Sequence, residues 1–351
     1  IGGTGAKCVE SAVHLAAAGA LPKDDLYVLL IDPDSANGTL GRARGALDLY
    51  CANQQLELGD SPLLRTRVRV SDPGVWSPFG ATTKLTLEDV MGYNSLKADH
   101  PEAAALFDVL FSKQVRQADL GVGFRRHPSI GSAVLGRSIH FADAKPWSML
   151  KTLITNDSGA GKDARVFLCG SIFGGTGASG LPTVARLIKD EVGKEAGAKL
   201  RIGGALVLPY FAFNFPGGTN GELRADSGSF IPNTQSALRY YHQKDYASIY
   251  QTFYVLGDEA MASVRHASVG GTDQRNDPHF VELYAALAAA DFFSGNAQQG
   301  VVTAARRSSG RLGWEDLPFS VSNELPGRLM QMVVRQCEVG RIDAPVPPPY
   351  K

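Results

Sequence analysis

The chain has 351 residues, 44% of them hydrophobic, and its 35 Lys and Arg balance its 35 Asp and Glu, so the formal net charge is zero. That length bounds one large domain or two smaller ones with a sizeable core, and the charge balance supplies no global field toward nucleic acid or an anionic membrane. No apolar run approaches the roughly 20 residues needed to span a bilayer, and 39 glycines suit a glycine-rich α/β protein. Cys8, Cys51, Cys169 and Cys337 show no CxxC spacing; they read as thiols of a reducing compartment, which predicts a cytoplasmic location.

In chain order, Ile1-Gly2-Gly3-Thr4-Gly5 is a glycine loop opening a helix in which Val9, Ala12, Val13, Ala16 and Ala17 recur at helical spacing. The loop has no strand ahead of it, so an initiator Met and a first strand are expected upstream, with a removed targeting peptide left open. Leu26–Ile31 is a β-type run ending at Asp32-Pro33-Asp34. Loop, helix, strand and terminal acid form half of a nucleotide-binding βαβ unit. On this half alone a Rossmann dehydrogenase fits as well as any other nucleotide fold. From 35 to 120 the pattern is weaker: a short strand over Arg65–Val70, turns at Ser71-Asp72-Pro73-Gly74 and Ser77-Pro78-Phe79-Gly80, and a helix over Pro101–Ala118. Ser158-Gly159-Ala160-Gly161-Lys162-Asp163 looks superficially like a P-loop, but its spacing fails.

The stretch that organises the chain is Phe173-Gly174-Gly175-Thr176-Gly177-Ala178-Ser179-Gly180, between the apolar run Val166–Ile172 and the helix-like Leu181–Ile188. Its N–H groups, with a helix N-terminus behind them, form an anion cradle without a charged side chain. A strand follows over Arg201–Phe211, a helix over Asn233–Asp245, a strand over Thr252–Asp258 and a long helix over Pro278–Phe293. On that helix Phe280, Tyr284, Leu287 and Asp291 make one stripe at helical spacing, and an acid on so apolar a helix is unusual unless paired or functional.

Val166 to Gly180, with Pro182 and Ala185 beyond, resembles the signature segment of the tubulin/FtsZ superfamily, whose loop reads GGGTGSG with a proline just inside the next helix; Phe173 stands at its first glycine. Further likenesses follow in order over most of residues 1–318. Gly121 to Gly131 resembles the family's third phosphate loop, with Pro128, Ile130 and Gly131 in matching places, His127 where Asn is frequent, and Arg125 and Arg126 adding charge. Leu208-Pro209-Tyr210-Phe211 is similar to its Pro-aromatic strand end. Gly310 to Pro318 falls where it keeps an acidic catalytic loop. The second glycine loop favours this family over a dehydrogenase, which has no need of it.

The resemblance implies an α/β fold, a three-layer Rossmann-like parallel sheet of tubulin/FtsZ type with a central helix. It divides the chain into a GTP-binding domain at 1–276, with an insertion at about 35–120 that is either surface decoration or a protein-partner site, a central helix at 277–294, and an acidic loop with a truncated or reduced second domain at 295–351. GTP or GDP is the implied ligand, with phosphates on Gly2, Gly3, Thr4, Gly5, Gly174, Gly175, Thr176, Gly177, Ala178 and Ser179, and with Arg126, His127 and Gly131 nearby. Asp34 would hold Mg²⁺ through water. Asp258 would stand in for a guanine-reading Asn, which the sequence replaces with Gly257. Leu287 would stack on the base and Asp291 would read its edge, a carboxylate accepting from guanine N1–H and N2–H₂. Glu315 and Asp316 would orient the attacking water from a neighbouring subunit. The function implied is a GTPase that assembles head-to-tail into filaments. The alternatives are a GTP-binding sensor or scaffold module without turnover, and an NAD-binding Rossmann enzyme.

Overall fold

A computed structural model of the chain describes residues 1–22, 25–56, 64–80, 85–121, 123–124, 127–142, 145–212, 230–243, 246–263, 271–274, 276–306, 313–319 and 323–330. Helix α1 (Gly2–Ala17) leads into strand β1 (Asp25–Ile31), crossover helix α2 (Gly38–Leu56) and strand β2 (Arg67–Trp76). β1 and β2 are parallel, Asp25 opposite Arg67 and Ile31 opposite Trp76. β2 bulges at Ser71-Asp72-Pro73-Gly74, a string with turn chemistry: Val70 lies opposite Val28 but Val75 opposite Leu30, so the register shifts across it. Proline is tolerated there because it has no N–H to give, and β2 pairs only with β1 among the described residues. Residues 38–56 and 67–76 are thus part of the sheet unit, and among the described residues of the expected insertion the short helices α3 (Leu87–Met91), α4 (Tyr93–Asp99), α5 (Pro101–Leu110) and α6 (Lys113–Arg116) stand outside it. The helix expected over Pro101–Ala118 breaks at Phe111, and Ser112 caps its second part by accepting from the N–H of Val115.

Helices α7 (Pro128–Ser138) and α8 (Trp147–Gly159) precede strand β3 (Ala164–Ser171), and helix α9 (Gly175–Leu187) follows it. After α10 (Gly193–Ala196) come β4 (Leu200–Val207), β5 (Phe211–Ala212), α11 (Phe230–Gln243), β6 (Thr252–Gly257), β7 (Ala262–Ser263), α12 (Phe280–Ser294) and β8 (Gly300–Ala305). The order β3-β4-β6-β8 makes a four-stranded sheet, parallel throughout, with β5 and β7 paired beyond it. The chain is an α/β protein with parallel sheets. α1 packs on α2 and α12 over one face, while α8 and α9, with α7 against α9, cover the other. Buried on both faces, the central strands read as apolar runs rather than alternations.

α12 is the middle of this packing. Nearly every turn is apolar, and Val281, Tyr284, Ala285, Leu287 and Ala288 are fully enclosed. A helix hydrophobic all round belongs in a core. Its first turn is fixed by a capping box, in which His279 Nδ1 accepts from the N–H of Val281 while Glu282 accepts from the N–H of His279.

No described helix is long and apolar enough to cross a membrane. Cys8 is buried, Cys51 and Cys169 are half-buried, and all three are free thiols; Cys337 lies outside the described residues. Between β1 and β3 the sheet is interrupted by a cavity of about 1010 Å³.

Candidate functional site

In parallel sheets with helical crossovers, the carboxyl ends of all strands share one edge, and loops there collect ligands. Here that edge carries Asp32 and Asp34 after β1, Phe173–Gly177 after β3, Tyr210 after β4, Asp258 after β6 and Arg306 after β8. α1, α9 and α12 all start at it.

The two glycine loops meet. Gly2 has φ +75°, a left-handed value open to glycine, and a Cβ there would stand 3.4 Å from the Gly177 nitrogen and from the Thr176 Cβ. Gly177 has no room for a side chain, since a Cβ would lie 2.5 Å from the Ser171 carbonyl oxygen. The first turns of α1 and α9 are consequently pressed together, and neither has a side-chain cap. Each uncapped start leaves backbone N–H groups without helical acceptors, and the dipole of each helix favours an anion at its adjoining end. Gly3, Thr4, Gly174 and Thr176 are the half-exposed positions of the loops. Gly2, Gly5, Gly175, Gly177 and Ala178 are buried behind them. Ser179 is fully buried, and its hydroxyl donates to the Gly175 carbonyl at 2.7 Å, within its own helix. Gly131 packs against Ser179, which docks α7 on α9.

Phe173 has a structural reason for standing at a glycine position. Its ring is buried among Tyr210, Phe211 and Phe230, with centroids 5.1–6.0 Å away. Aromatic packing anchors the base of the loop. His127, just before α7, is half-buried, and burial holds its imidazole below its ordinary pKa, so it is neutral at pH 7. Arg125 and Arg126 lie outside the described residues.

The acids behave differently from one another. Asp32 is buried and accepts from the N–H of Asp34 at 2.9 Å. Burial, with the Asp34 charge adding to it, pushes its carboxyl up to about 7 despite that hydrogen bond. Asp34 Oδ2 accepts from the N–H of Gly271 at 2.7 Å. That bond is one end of a strap: Asn37 and Thr39 donate to Gln274, Arg42 to the Asn276 carbonyl, and Lys7 to the Asp277 carbonyl. No group of three or more His, Cys, Asp or Glu capable of holding a metal ion is assembled among the described residues. A cation here would depend on the ligand's own oxygens, as Mg²⁺ commonly does.

Beneath the strap, Lys7 forms a buried ion pair with Glu282, and Tyr210 Oη donates to the same carboxylate at 2.7 Å. Asp258 is enclosed and pairs with Arg306 at 3.4 Å. Arg306 also lies 5.4 Å over the Phe280 ring. Burial holds His279 below its ordinary pKa, with the Asp258 charge opposing and the Lys7 and Arg306 charges adding to the shift.

No family model, curated protein or solved structure matches this chain.

Two expected residues are not brought to the site. α12 begins at the ligand edge and runs away from it, so Asp291 lies about 16 Å further along the axis at 1.5 Å per residue. There it accepts from Tyr254 Oη at 2.7 Å, near Arg165 at the start of β3, which bonds the Phe293 carbonyl. Leu287 is fully buried between the two ends. The head of α12 instead offers His279 and Phe280, both half-buried. Helical spacing alone could not separate Phe280 from Leu287; the capping residues His279 and Glu282 were the available clue to which end is the head. In the acidic loop, Asp316 is buried, accepts from the N–H of Gly313 at 2.9 Å, and its carbonyl accepts from Tyr284 Oη at 2.6 Å. It shapes its own turn. Glu315 is exposed.

Proposed function

We propose that the chain binds a guanine nucleotide, in the manner of the tubulin/FtsZ superfamily, with its phosphates between the starts of α1 and α9. The observation that carries the reading is the contact of Gly2 with Thr176 and Gly177, which joins two uncapped, glycine-built helix starts beside Asp32 and Asp34. A phosphate fits that donor set. Gly3, Thr4, Gly174 and Thr176 would contact it, and Asp34 would hold Mg²⁺ through water. Mg²⁺, when bound, would offset the phosphate charge. The resemblance supports guanine as the base. Asp291 takes no part in reading it, and the head of α12 with Asp258 and Arg306 is the remaining place for the base.

Titration calorimetry of the purified protein with GTP, ATP and NAD tests this. GTP should bind at least tenfold more tightly than ATP, and Asp34→Asn should cost about tenfold in GTP affinity with Mg²⁺ present and little without it. Tighter binding of NAD would put a dehydrogenase-like enzyme in its place. Turnover is the weaker half. With Asp316 consumed in its own turn, hydrolysis rests on Glu315 acting on a neighbouring subunit. The same observation favours the second reading, a GTP-binding sensor or scaffold module without turnover.

A further inference from the structure

His279 stands at the head of α12, on the ligand edge, and its two ring nitrogens have different duties. Nδ1 accepts from the N–H of Val281 at 3.3 Å, as half of the capping box that starts the helix. A ring nitrogen that accepts a backbone N–H carries no proton, so that hydrogen bond assigns the proton of the neutral ring to Nε2. Burial keeps the ring neutral at pH 7. Half-exposed, the ring lies beside Tyr210 and Phe280, with centroids 4.9 and 4.4 Å away, and this packing fixes its orientation. Among the described residues, the hydrogen bonds of His279 run through its backbone and Nδ1, and none reaches Nε2. The cap therefore holds a donor of fixed tautomer that the fold itself does not use.

That donor lies one aromatic ring away from the first glycine loop. Tyr210, against the His279 ring, takes a hydrogen bond from the side chain of Thr4. The path from Thr4 across Tyr210 to His279 suits the step from the phosphates of a nucleotide across its ribose to its base. Purines differ at position 6, where guanine presents a carbonyl acceptor and adenine an amino donor, while N7 is an acceptor in both. We propose that His279 sets the base specificity of this site, its Nε2–H donating to the 6-oxo group of a guanine nucleotide, a role that rests on guanine-nucleotide binding at this edge. Against adenine the same N–H meets the 6-amino group, donor against donor, and both lose water without gaining a partner.

Calorimetric affinities for GTP, ATP and 6-thio-GTP test this, since 6-thio-GTP keeps N1–H, N7 and the 2-amino group but presents a weakly accepting sulfur at position 6. The chain should bind GTP about tenfold more tightly than 6-thio-GTP. His279→Asn keeps an acceptor at the Nδ1 place, and asparagine is a favoured cap, but it has nothing at the Nε2 place. It should abolish the preference and leave the urea midpoint of unfolding unchanged. His279→Gln reaches the Nε2 place with an amide N–H and gives up the cap, so it should retain much of the preference at a lower midpoint. Equal binding of GTP and 6-thio-GTP by the unaltered chain, a preference that survives His279→Asn, or a preference that follows stability across the two variants would each overturn the role of His279 while GTP binding stands. A chain that binds GTP no better than ATP, or not at all, overturns guanine recognition at this edge and the role of His279 with it.

Discussion

Asp32 and Asp34 are two residues apart, yet their surroundings set them to different tasks. Both are buried to the same degree, but Asp34 accepts from the N–H of Gly271, whereas Asp32 accepts from the N–H of Asp34 and is pushed up by its burial. A carboxyl raised to about 7 in the folded chain, against about 3.9 unfolded, holds its proton more tightly when folded. Its stabilisation is full below the unfolded pKa and is lost as pH rises through 7, a change of about 4 kcal/mol from this group. Asp32→Asn should flatten the pH dependence of stability between pH 4 and 7 and make the variant the more stable protein at pH 8. Urea midpoints across that range measure it; parallel curves for the two proteins would remove the assignment. Local sequence could mark Asp32-Pro33-Asp34 as a strand-end acid motif, but not its partners, because the Trp76 carbonyl accepts the Asp32 N–H from 44 residues away and the Gly271 N–H reaches Asp34 from 237 residues away.

Elements whose pattern is local were legible: α1, β1, β3 and α12 lie within a few residues of where apolar period and glycine punctuation put them. α9 starts at Gly175, six residues before the apolar stripe, because its first turns are the glycine loop itself. β8 (Gly-Val-Val-Thr-Ala-Ala) and α2 were not legible, being short or weakly amphipathic and stabilised by the sheet they join. What locks these elements together is polar and non-local. Lys7 on α1 and Glu282 on α12 pair within the core, with Tyr210 after β4 bonded to both. Removing one member of such a pair strands a buried charge, at a cost of about 3–5 kcal/mol. Lys7→Met should lower stability by that amount in guanidinium titration, and Lys7→Met with Glu282→Leu should recover most of it, since the double change leaves no unpaired ion. A single change costing under about 1 kcal/mol would show that the pair does not tie α1 to α12.

At the scale of the whole molecule, the ligand edge and the acidic turn make separate demands. The glycine loops are complete within one chain, whereas Glu315 is exposed and Asp316 is spent on Gly313. If a neighbouring copy completes the site, the contact is head-to-tail and heterologous, which propagates as a filament rather than closing as a dimer. Turnover per chain must then rise with protein concentration, because the water-orienting carboxylate and the phosphates belong to different molecules. Glu315→Gln should lower kcat by roughly 100-fold, in the range for loss of a positioned acid–base group, with GTP affinity unchanged. Asp316→Asn should act on stability instead, through the turn it caps. Phosphate release measured over a wide range of protein concentration, alongside sedimentation, separates the outcomes. Turnover that is flat and insensitive to Glu315→Gln, with GTP still bound, would leave a nucleotide-binding sensor or scaffold whose acidic turn is architecture alone.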